Sequence, residues 1–298
     1  MKTKIVTRKS MIIRPSNRST DFIAPSFINE CAFNCTYCYV KRHNAEYITI
    51  AKNTLDILTE INSHAYFSTV EKPNQTGEYV TYDIGCNSDI ALHAKQLEWK
   101  TIFKFFKDHP LAMGSFATKY VNDELLNYNP ENKIRIRFSL MPEDWRELLE
   151  PNTSDIQSRL NAVSRFIDAG YEVHLNFSPV IVHDHWLAKY EFLFNLVGSY
   201  ARRNNWDNES VKAEVIFLTH NEEKHKYNFK HNLPGEGLLW VPKIQESKVS
   251  QYGGKNIRYE HNKKADYIRQ FVELHDKIIP WNTIRYCFTF LLLLSQII

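Results

Sequence analysis

Three cysteines within eight residues are the part of this sequence whose types and spacing most directly indicate chemistry. Cys31, Cys35 and Cys38 stand in the segment CAFNCTYC, and no fourth cysteine lies near them. Thiolates are the usual ligands of iron–sulfur clusters, and a [4Fe–4S] cluster normally takes four of them. Three ligands leave one iron open to bind and reduce a small molecule. The segment therefore predicts a cluster that takes part in a reaction.

Zinc binding is the main alternative for these cysteines, because His43 follows Cys38 by five residues. Structural zinc sites usually combine two hooks of the C-x2-4-C or H-x3-5-H type, and no second hook follows here. His183, His185 and His220 also lack such spacing, which favours histidines at the rim of a barrel over metal ligands. A disulfide framework needs a cysteine-dense secreted chain, whereas this one has five cysteines in 298 residues.

The composition is that of a globular protein with a large core. A hydrophobic content of 43% over 298 residues suffices for one barrel-sized α/β domain, with or without an appendage. The net charge of +3 is too small to indicate nucleic-acid binding by itself. The first twenty residues nevertheless hold six Lys/Arg and no acid, and 243–269 holds seven Lys/Arg against three acids. Such runs are commonly solvated faces, but both are compatible with a groove that faces phosphates.

The two ends of the chain bear on its location. The basic N-terminus lacks the apolar stretch of a signal peptide. Few cysteines and an oxygen-sensitive cluster predict a reducing cytoplasm. The apolar end, FTFLLLLSQII at 288–298, is about half as long as a membrane span. We expect a buried or frayed terminal segment there, and no membrane partner.

Short β-rich runs alternate with amphipathic stretches along most of the chain. The predicted strands are 79–85, 112–118, 133–140, 172–180 and 211–218, with a further short one at 22–27 before the cysteines. The predicted helices are 52–65, 90–107, 186–202, 263–278 and a helix capped by Thr153 that runs to about 169. This alternation predicts a parallel sheet with crossover helices, and six such units make an incomplete (β/α)6 barrel.

The domain organisation follows from the same pattern. We expect a basic N-terminal segment at 1–21, a partial barrel at 22–226, a C-terminal extension at 227–288 and an apolar tail at 289–298. In a parallel barrel the chemistry gathers at the carboxyl ends of the strands. Several chemically capable residues lie at or just after predicted strand ends and should therefore converge: Cys31, Cys35, Cys38, Cys86, Lys119, Ser139 and His220.

Several sequence blocks, in order along the chain, carry a family resemblance. They are APSFINECAFNCTYCYV around the cysteines, YDIGCNSDI at 82–90, FATKYVNDELL around Lys119, IRFSL ending at Leu140, EPNTSDIQSRL at 150–160, GYEVHLNFSPVIVHDHW at 170–186, EVIFLTHNE at 214–222 and SQYGG at 250–254. From about Ala24 to Phe288 the chain resembles the spore photoproduct lyase family of radical S-adenosylmethionine (SAM) enzymes. It is most similar to a shorter, lyase-like branch found outside spore formers.

The resemblance implies a fold, cofactors and a reaction. In the family, a [4Fe–4S] cluster binds SAM and cleaves it reductively to a 5′-deoxyadenosyl radical. That radical removes a hydrogen atom from a UV-induced thymine dimer, which then falls apart, and a cysteine returns a hydrogen atom to the thymine radical. An electron donor such as flavodoxin or ferredoxin is implied as a partner, together with damaged DNA.

The resemblance also implies roles for individual residues. Cys31, Cys35 and Cys38 match the cluster ligands, and Cys86 matches the hydrogen-donor cysteine. Tyr37 and Tyr39 match two tyrosines implicated in radical relay or SAM placement. The residues that match polar contacts to SAM are Ser88, Lys119 and Ser139.

Each of these roles has a plainer alternative. A lone buried cysteine is usually a small hydrophobic residue, and a lysine at a strand end is often an ordinary surface residue. Serines near strand ends often cap helices. The position of Cys86 in its block favours the donor role, and Lys119 at a strand end is suited to pair with the carboxylate of SAM.

A candidate nucleic-acid contact lies in the C-terminal extension. Tyr252 and Lys255 belong to a segment that matches a hairpin touching DNA in the lyases, and Arg258 follows it. Gln251 stands where the spore enzyme has arginine, and the segment before the cysteines is shorter by tens of residues. These two departures concern the identity of the lesion more than the radical chemistry.

The sequence thus predicts a radical SAM lyase that repairs thymine dimer photoproducts in DNA. Two other functions stay open. One is a radical SAM enzyme that remodels a modified base or nucleotide without repair. The other is a non-catalytic nucleic-acid-binding protein that carries a cluster or zinc.

Overall fold

The computed structural model describes residues 2–16, 19–40, 46–73, 77–93, 95–249 and 254–287. Its strands are β1 (Lys2–Val6), β2 (Arg14–Pro15), β3 (Phe22–Ile23), β4 (Ile28–Asn29), β5 (Tyr47–Ala51), β6 (Val80–Asp83), β7 (Ala112–Thr118), β8 (Ile134–Leu140), β9 (Glu172–Val180), β10 (Val211–Phe217), β11 (Thr219–Asn221), β12 (Gln245–Val249), β13 (Lys255–Tyr259) and β14 (Ile284–Cys287). Its α-helices are α1 (Thr54–Phe67), α2 (Trp99–Asp108), α3 (Glu143–Leu149), α4 (Ile156–Asp168), α5 (Trp186–Asn204), α6 (Glu222–Lys230), α7 (Glu236–Leu239) and α8 (His261–Ile278).

The chain divides into two compact units. The first takes in Met1–Ala32, Ala45–Ser139 and Asn161–Leu175, and the second takes in Phe33–Asn44, Leu140–Leu160 and Asn176–Ile298. An eight-stranded sheet is the main sheet of the chain, and two three-stranded sheets accompany it. Strand–helix alternation in the sequence thus produces an α/β fold, as predicted.

In the first unit, neighbouring strands of the main sheet follow the order β8, β7, β6, β3 and β2. The pairs β3–β6, β6–β7 and β7–β8 are parallel, and β2 joins β3 in the antiparallel sense. Large buried side chains hold the helices on this sheet: Phe106 on α2, Phe116 on β7 and Phe138 on β8 are all fully buried. The rings of Phe138 and Phe166 meet edge to face at 5.3 Å. A separate small sheet contains β1, β5 and β4.

In the second unit, β10 pairs in parallel with β14, which the sequence did not predict. Helices α5 and α8 pack through aromatic side chains, and the ring centroids of Phe194 and Phe271 lie 5.2 Å apart. A small antiparallel sheet has the order β11, β13 and β12. The family resemblance implies a hairpin in this part of the chain, and β12 and β13 pair in the antiparallel sense, with only Gln245 and Tyr259 of their ten residues buried.

Two helix predictions were wrong in their boundaries. The predicted helix 90–107 is a 3₁₀ turn at Ile90–His93 and a separate helix α2. The side-chain amide of Asn122 donates to the Ala91 carbonyl at 2.7 Å, so that carbonyl is bonded outside any α-helical ladder. Thr153 does not cap α4. Its hydroxyl donates to the Glu150 carbonyl, and Asp155 instead accepts the Ser158 N–H at 2.7 Å.

Among the described residues, no helix combines the length and the apolar character needed to cross a membrane. The predicted apolar tail at 289–298 lies outside the described residues.

Candidate functional site

Cys35 and Cys38 lie in a short turn of the second unit whose backbone is held from two sides. The Cys38 N–H donates to the Cys35 carbonyl at 3.0 Å, which closes the turn. Between them, the Thr36 N–H donates to the Leu149 carbonyl at 2.9 Å, and the Thr36 carbonyl accepts the side-chain amide of Asn228 at 2.8 Å. These hydrogen bonds therefore hold the backbone from which the side chains of Cys35 and Cys38 project.

The cysteine side chains fit the demands of a cluster. Cys31, in the first unit, and Cys35 are 7% and 5% exposed, and Cys38 is half-buried. None of the three is in a disulfide. Cysteines outside disulfides offer the thiolate donors that iron–sulfur clusters take.

Tyr37, between the last two cysteines, reaches a buried ion pair. Its phenol donates a hydrogen bond to Oε1 of Glu150, whose Oε2 accepts from the guanidinium of Arg159 at 2.8 Å. The side chains of Glu150 and Arg159 are both fully buried. Burial first, and then the negative charge of Glu150, raise the pKa of Tyr37 well above its ordinary value. The phenol therefore keeps its proton and a fixed orientation, while Tyr39 is 37% exposed.

Cys86 lies in a turn that follows β6 in the first unit, as the sequence predicted, and it is half-buried. The preceding Gly85 lies so close to β7 that an added Cβ would stand 2.9 Å from Cβ of Phe116. Glycine thus lets the Cys86 turn pack directly on the neighbouring strand. Two residues later, the hydroxyl oxygen of Ser88 is buried and has no hydrogen-bond partner among the described residues. An unsatisfied buried hydroxyl is suited to a polar ligand.

Asp89 connects this turn to the end of β7, a role that the sequence analysis did not predict. Its Oδ1 accepts the hydroxyl of Thr118 at 2.8 Å, and its Oδ2 accepts the backbone N–H of Lys119 at 2.7 Å. The carboxylate is 9% exposed. One buried side chain therefore fixes Lys119 relative to the turn that carries Cys86 and Ser88. The available signal in the sequence was that Asp89 directly follows Ser88, a predicted SAM contact.

Ser139 lies near the end of β8, where it is 1% exposed. Thr118 of β7 is in register with Phe138 of β8, so Lys119 and Ser139 are the next residues along adjacent parallel strands. The first unit thus brings together the predicted SAM contacts Ser88, Lys119 and Ser139 with Cys86 at the carboxyl ends of β6, β7 and β8.

The predicted nucleic-acid residues differ in their surroundings. Lys255, the first residue of β13, is exposed. Arg258 is half-buried and forms a cross-strand ion pair with Glu246 of β12, with Nε and Oε1 2.8 Å apart. Its guanidinium is already engaged within the hairpin. Tyr252 and Gln251 lie outside the described residues.

Comparison with known proteins gives a consistent picture. The spore photoproduct lyase family model matches residues 2–289. Spore photoproduct lyase of Bacillus subtilis (strain 168) is 26% identical over 291 residues, which are 95% of this chain and 80% of the relative. That of Clostridium acetobutylicum is 24% identical over 286 residues, or 94% and 80%.

Solved structures of spore photoproduct lyases match the fold. A spore photoproduct lyase complexed with dinucleoside spore photoproduct superposes with a TM-score of 0.82 at 20% identity, over 95% of this chain and 81% of the other. A variant with bound AdoMet and the dinucleoside photoproduct gives 0.83 with the same coverage. This likeness confirms the predicted fold class, the incomplete α/β barrel of radical SAM enzymes. Because the family model spans nearly the whole sequence, this chain belongs to the spore photoproduct lyase family of radical SAM lyases.

Proposed function

We propose that this chain repairs a UV-induced thymine dimer photoproduct in DNA, using a [4Fe–4S] cluster and SAM. The observation that carries the proposal is the convergence of Cys86, Ser88, Lys119 and Ser139 at the carboxyl ends of three adjacent parallel strands. This arrangement stands in a chain whose family model covers residues 2–289.

Cys31, Cys35 and Cys38 are the residues that would hold the cluster. None of the three is in a disulfide, Cys31 and Cys35 are buried, and Cys38 is half-buried. When bound, the cluster and SAM supply a 5′-deoxyadenosyl radical that removes a hydrogen atom from the substrate. The chain would place SAM through Lys119, whose ammonium is suited to a carboxylate, and through the hydroxyls of Ser88 and Ser139. The buried, unsatisfied Oγ of Ser88 supports this role, because a bound ligand would satisfy it.

Cys86 would return a hydrogen atom to the substrate. The S–H bond of the thiol breaks and a C–H bond forms on the thymine radical, which leaves a sulfur-centred radical on Cys86. A thiol S–H bond is weak, so this transfer to carbon is favourable. The phenol O–H groups of Tyr37 and Tyr39 are candidates to return a hydrogen atom to that sulfur. Their separate surroundings, one bonded to Glu150 and one exposed, suit them to different positions in such a relay.

Damaged DNA would be held through its phosphates by basic residues of the C-terminal hairpin. The exposed Lys255 is the best placed of the described candidates. Damaged, poorly stacked bases leave the duplex at lower cost than normal pairs, which helps a lesion enter a site. We further propose a reducing cytoplasm as the location, with a flavodoxin or ferredoxin as electron donor. The five cysteines form no disulfide, which is in keeping with that location.

An anaerobic assay of the reconstituted protein on UV-irradiated DNA tests the function. Repair predicts SAM-dependent loss of the dimer photoproduct and recovery of thymine, identified by mass spectrometry of the digested DNA. Cleavage of SAM without any change in the photoproduct would favour remodelling of another base or nucleotide. A protein that binds DNA but never cleaves SAM would contradict catalysis altogether.

A further inference from the structure

Three side chains of the second unit form a cluster with the composition of a metal site. His220 lies on β11, His225 on α6 and Glu236 on α7. One nitrogen of each histidine and one oxygen of the glutamate all lie within 4.8 Å of one another. Nε2 of His220 is 3.0 Å from Oε1 of Glu236, and Nδ1 of His225 is 2.6 Å from the same oxygen. Two imidazoles and a carboxylate are a common ligand set for zinc and for other divalent transition metals.

Local structure accounts for how these residues meet. His220 is followed at once by Asn221, whose side chain caps α6 by accepting the Lys224 N–H at 3.1 Å. His225 then lies one turn into that helix. The chain returns through Gly235, which has a φ of 79° and begins α7 with Glu236 at its first position. An added Cβ at Gly235 would stand 2.3 Å from Cδ2 of Leu149, so the return requires glycine.

Neighbouring groups orient the cluster from outside. The side-chain amide of Asn228 donates to Oε2 of Glu236 at 2.5 Å, which leaves Oε1 directed at the histidines. The ring of His225 stacks on Trp240 with centroids 3.8 Å apart and an interplanar angle of 8°. Supporting hydrogen bonds of this kind hold the ligands of metal sites in place.

The burial of the three side chains suits an ion with an open coordination position. His220 is fully buried, whereas the side chains of His225 and Glu236 are 22% and 13% exposed. An ion can therefore enter from the His225 side and keep a water as its fourth ligand. Three protein ligands plus water is the usual arrangement of accessible zinc sites.

We propose that His220, His225 and Glu236 bind a divalent transition-metal ion, with Zn²⁺ as the ion best matched to two nitrogens and one oxygen. Its binding does not depend on the repair activity proposed above. The ion would stabilise the contacts of this site with two segments, strand β13 and the turn between Cys35 and Cys38. His220 is in register with Ile257 of β13, the strand that begins with Lys255. Asn228, which holds Glu236, also donates to the Thr36 carbonyl in the turn between Cys35 and Cys38.

Zinc titration of the protein loaded with its [4Fe–4S] cluster tests the proposed metal site. The protein is dialysed anaerobically against EDTA, its iron content is measured before and after, and ZnCl₂ is added in a calorimeter. We expect one Zn²⁺ per chain with a micromolar or lower Kd. His225→Ala and Glu236→Gln should each weaken binding at least about 100-fold, because losing a ligand costs more than the roughly 10–100-fold typical of losing an outer-shell partner. His231→Ala, which removes a nearby exposed histidine, should leave the Kd unchanged.

Cobalt identifies the ligands. Co²⁺ added in place of Zn²⁺ should give visible d–d bands without an intense thiolate charge-transfer band. A thiolate band would assign the ion to the cysteines and overturn the proposal. So would the absence of zinc uptake, or uptake that both variants leave unchanged, and the three side chains would then form only a hydrogen-bonded cluster. Circular dichroism and iron content of each variant identify a folding failure, and two independent variants keep the test decisive.

Discussion

The phenol of Tyr37 donates a hydrogen bond to the carboxylate of Glu150, although the two residues are 113 positions apart in the sequence. Glu150 in turn shares its other oxygen with Arg159. The conspicuous block EPNTSDIQSR at 150–159 thereby gains a physical explanation, because its first and last residues build the charged partner of a tyrosine in the cysteine turn. The tyrosine between two of the predicted cluster ligands is held by a buried ion pair.

Breaking that pair should destabilise the protein. Glu150→Gln leaves the fully buried guanidinium of Arg159 without a countercharge, and we expect the free energy of unfolding to fall by about 3 kcal/mol. Urea unfolding at pH 7 measures this change. Glu147→Gln is the matched control, because Glu147 is 68% exposed and should shift stability by less than about 0.5 kcal/mol. Equal losses in both variants would contradict the assigned role of Glu150.

Removing the carboxylate of Asp89 should weaken SAM binding while the cluster remains. Asp89→Ala frees the backbone N–H of Lys119 and the hydroxyl of Thr118, so the strand end that carries Lys119 loses its connection to the Cys86 turn. We expect the Kd for SAM to rise about tenfold, or about 1.4 kcal/mol. Calorimetry together with iron analysis measures both quantities. An unchanged Kd at full iron content would show that this connection does not position SAM.

Substitution should distinguish a cluster ligand, Cys35, from the proposed hydrogen donor, Cys86. Cys35→Ala should lose the cluster and SAM cleavage, because two thiolates hold a [4Fe–4S] cluster poorly. Cys86→Ala should keep iron and still form 5′-deoxyadenosine, but the substrate radical would lack its hydrogen donor and form adducts with solvent species or added reductants. Product analysis by mass spectrometry distinguishes these outcomes.

Cys287 is the internal control for that series. Burial raises the pKa of its thiol to about 12, so it remains protonated and unreactive. Cys287→Ala should give native product at the wild-type rate, apart from a modest packing cost of about 1 kcal/mol. Clean, native product from Cys86→Ala would make Cys86 a packing residue and exclude the donor mechanism.

Neutralising Lys255 should weaken binding to DNA of any sequence. An exposed lysine that contacts a phosphate releases about one counterion on binding, so Lys255→Ala should lower affinity and reduce the salt slope by about one. Fluorescence anisotropy at several salt concentrations measures both. Lys104→Ala is the control, since Lys104 already pairs with Asp108 on α2. If the two variants behave alike, the C-terminal basic segment is only a solvated face.

Glu172 should make stability depend on pH in acid. Burial alone would raise its pKa, but His174, whose Nε2 lies 2.6 Å from Oε1, and the charge of Arg135 outweigh burial and hold the pKa well below 4.5. A depressed pKa contributes stability that is present above the ordinary value and is lost as the pH falls toward the folded-state value. Glu172→Gln should therefore cost about 1–2 kcal/mol at pH 7 and less at pH 3.5. Urea unfolding of iron-free protein at the two pH values checks this, and a deficit that grows in acid would contradict it.

Local patterns were enough for much of the fold and part of the site. The strand limits 112–118 and 172–180 agree with β7 and β9, because buried strands leave continuous apolar or alternating runs. The cysteine spacing and the strand-end positions of Cys86, Lys119 and Ser139 are likewise local. In a parallel sheet such positions share one edge, so their convergence followed from the alternation of elements alone.

Long-range partners determined the rest. The alternation in KIRIRFSL at 133–140 predicts a strand but not that β8 is buried throughout, which is possible because Arg135 and Arg137 pair with Glu172 and Asp83. No periodicity can indicate such partners, which lie 37 and 54 residues away.

The same reason separates the predicted from the unpredicted site residues. The predicted cluster ligands can be recognised from the spacing of the cysteines, which is visible in the sequence. Glu150, Asp89 and the cluster of His220, His225 and Glu236 contribute through contacts that exist only once the chain has folded. The sequence by itself determined the family, and it predicted the cysteines as the donor set and the edge of the sheet where the chemistry is expected to gather. Tertiary structure decided which buried charges hold those residues in place, because the cost of burying a charge is offset only by a partner brought close by folding.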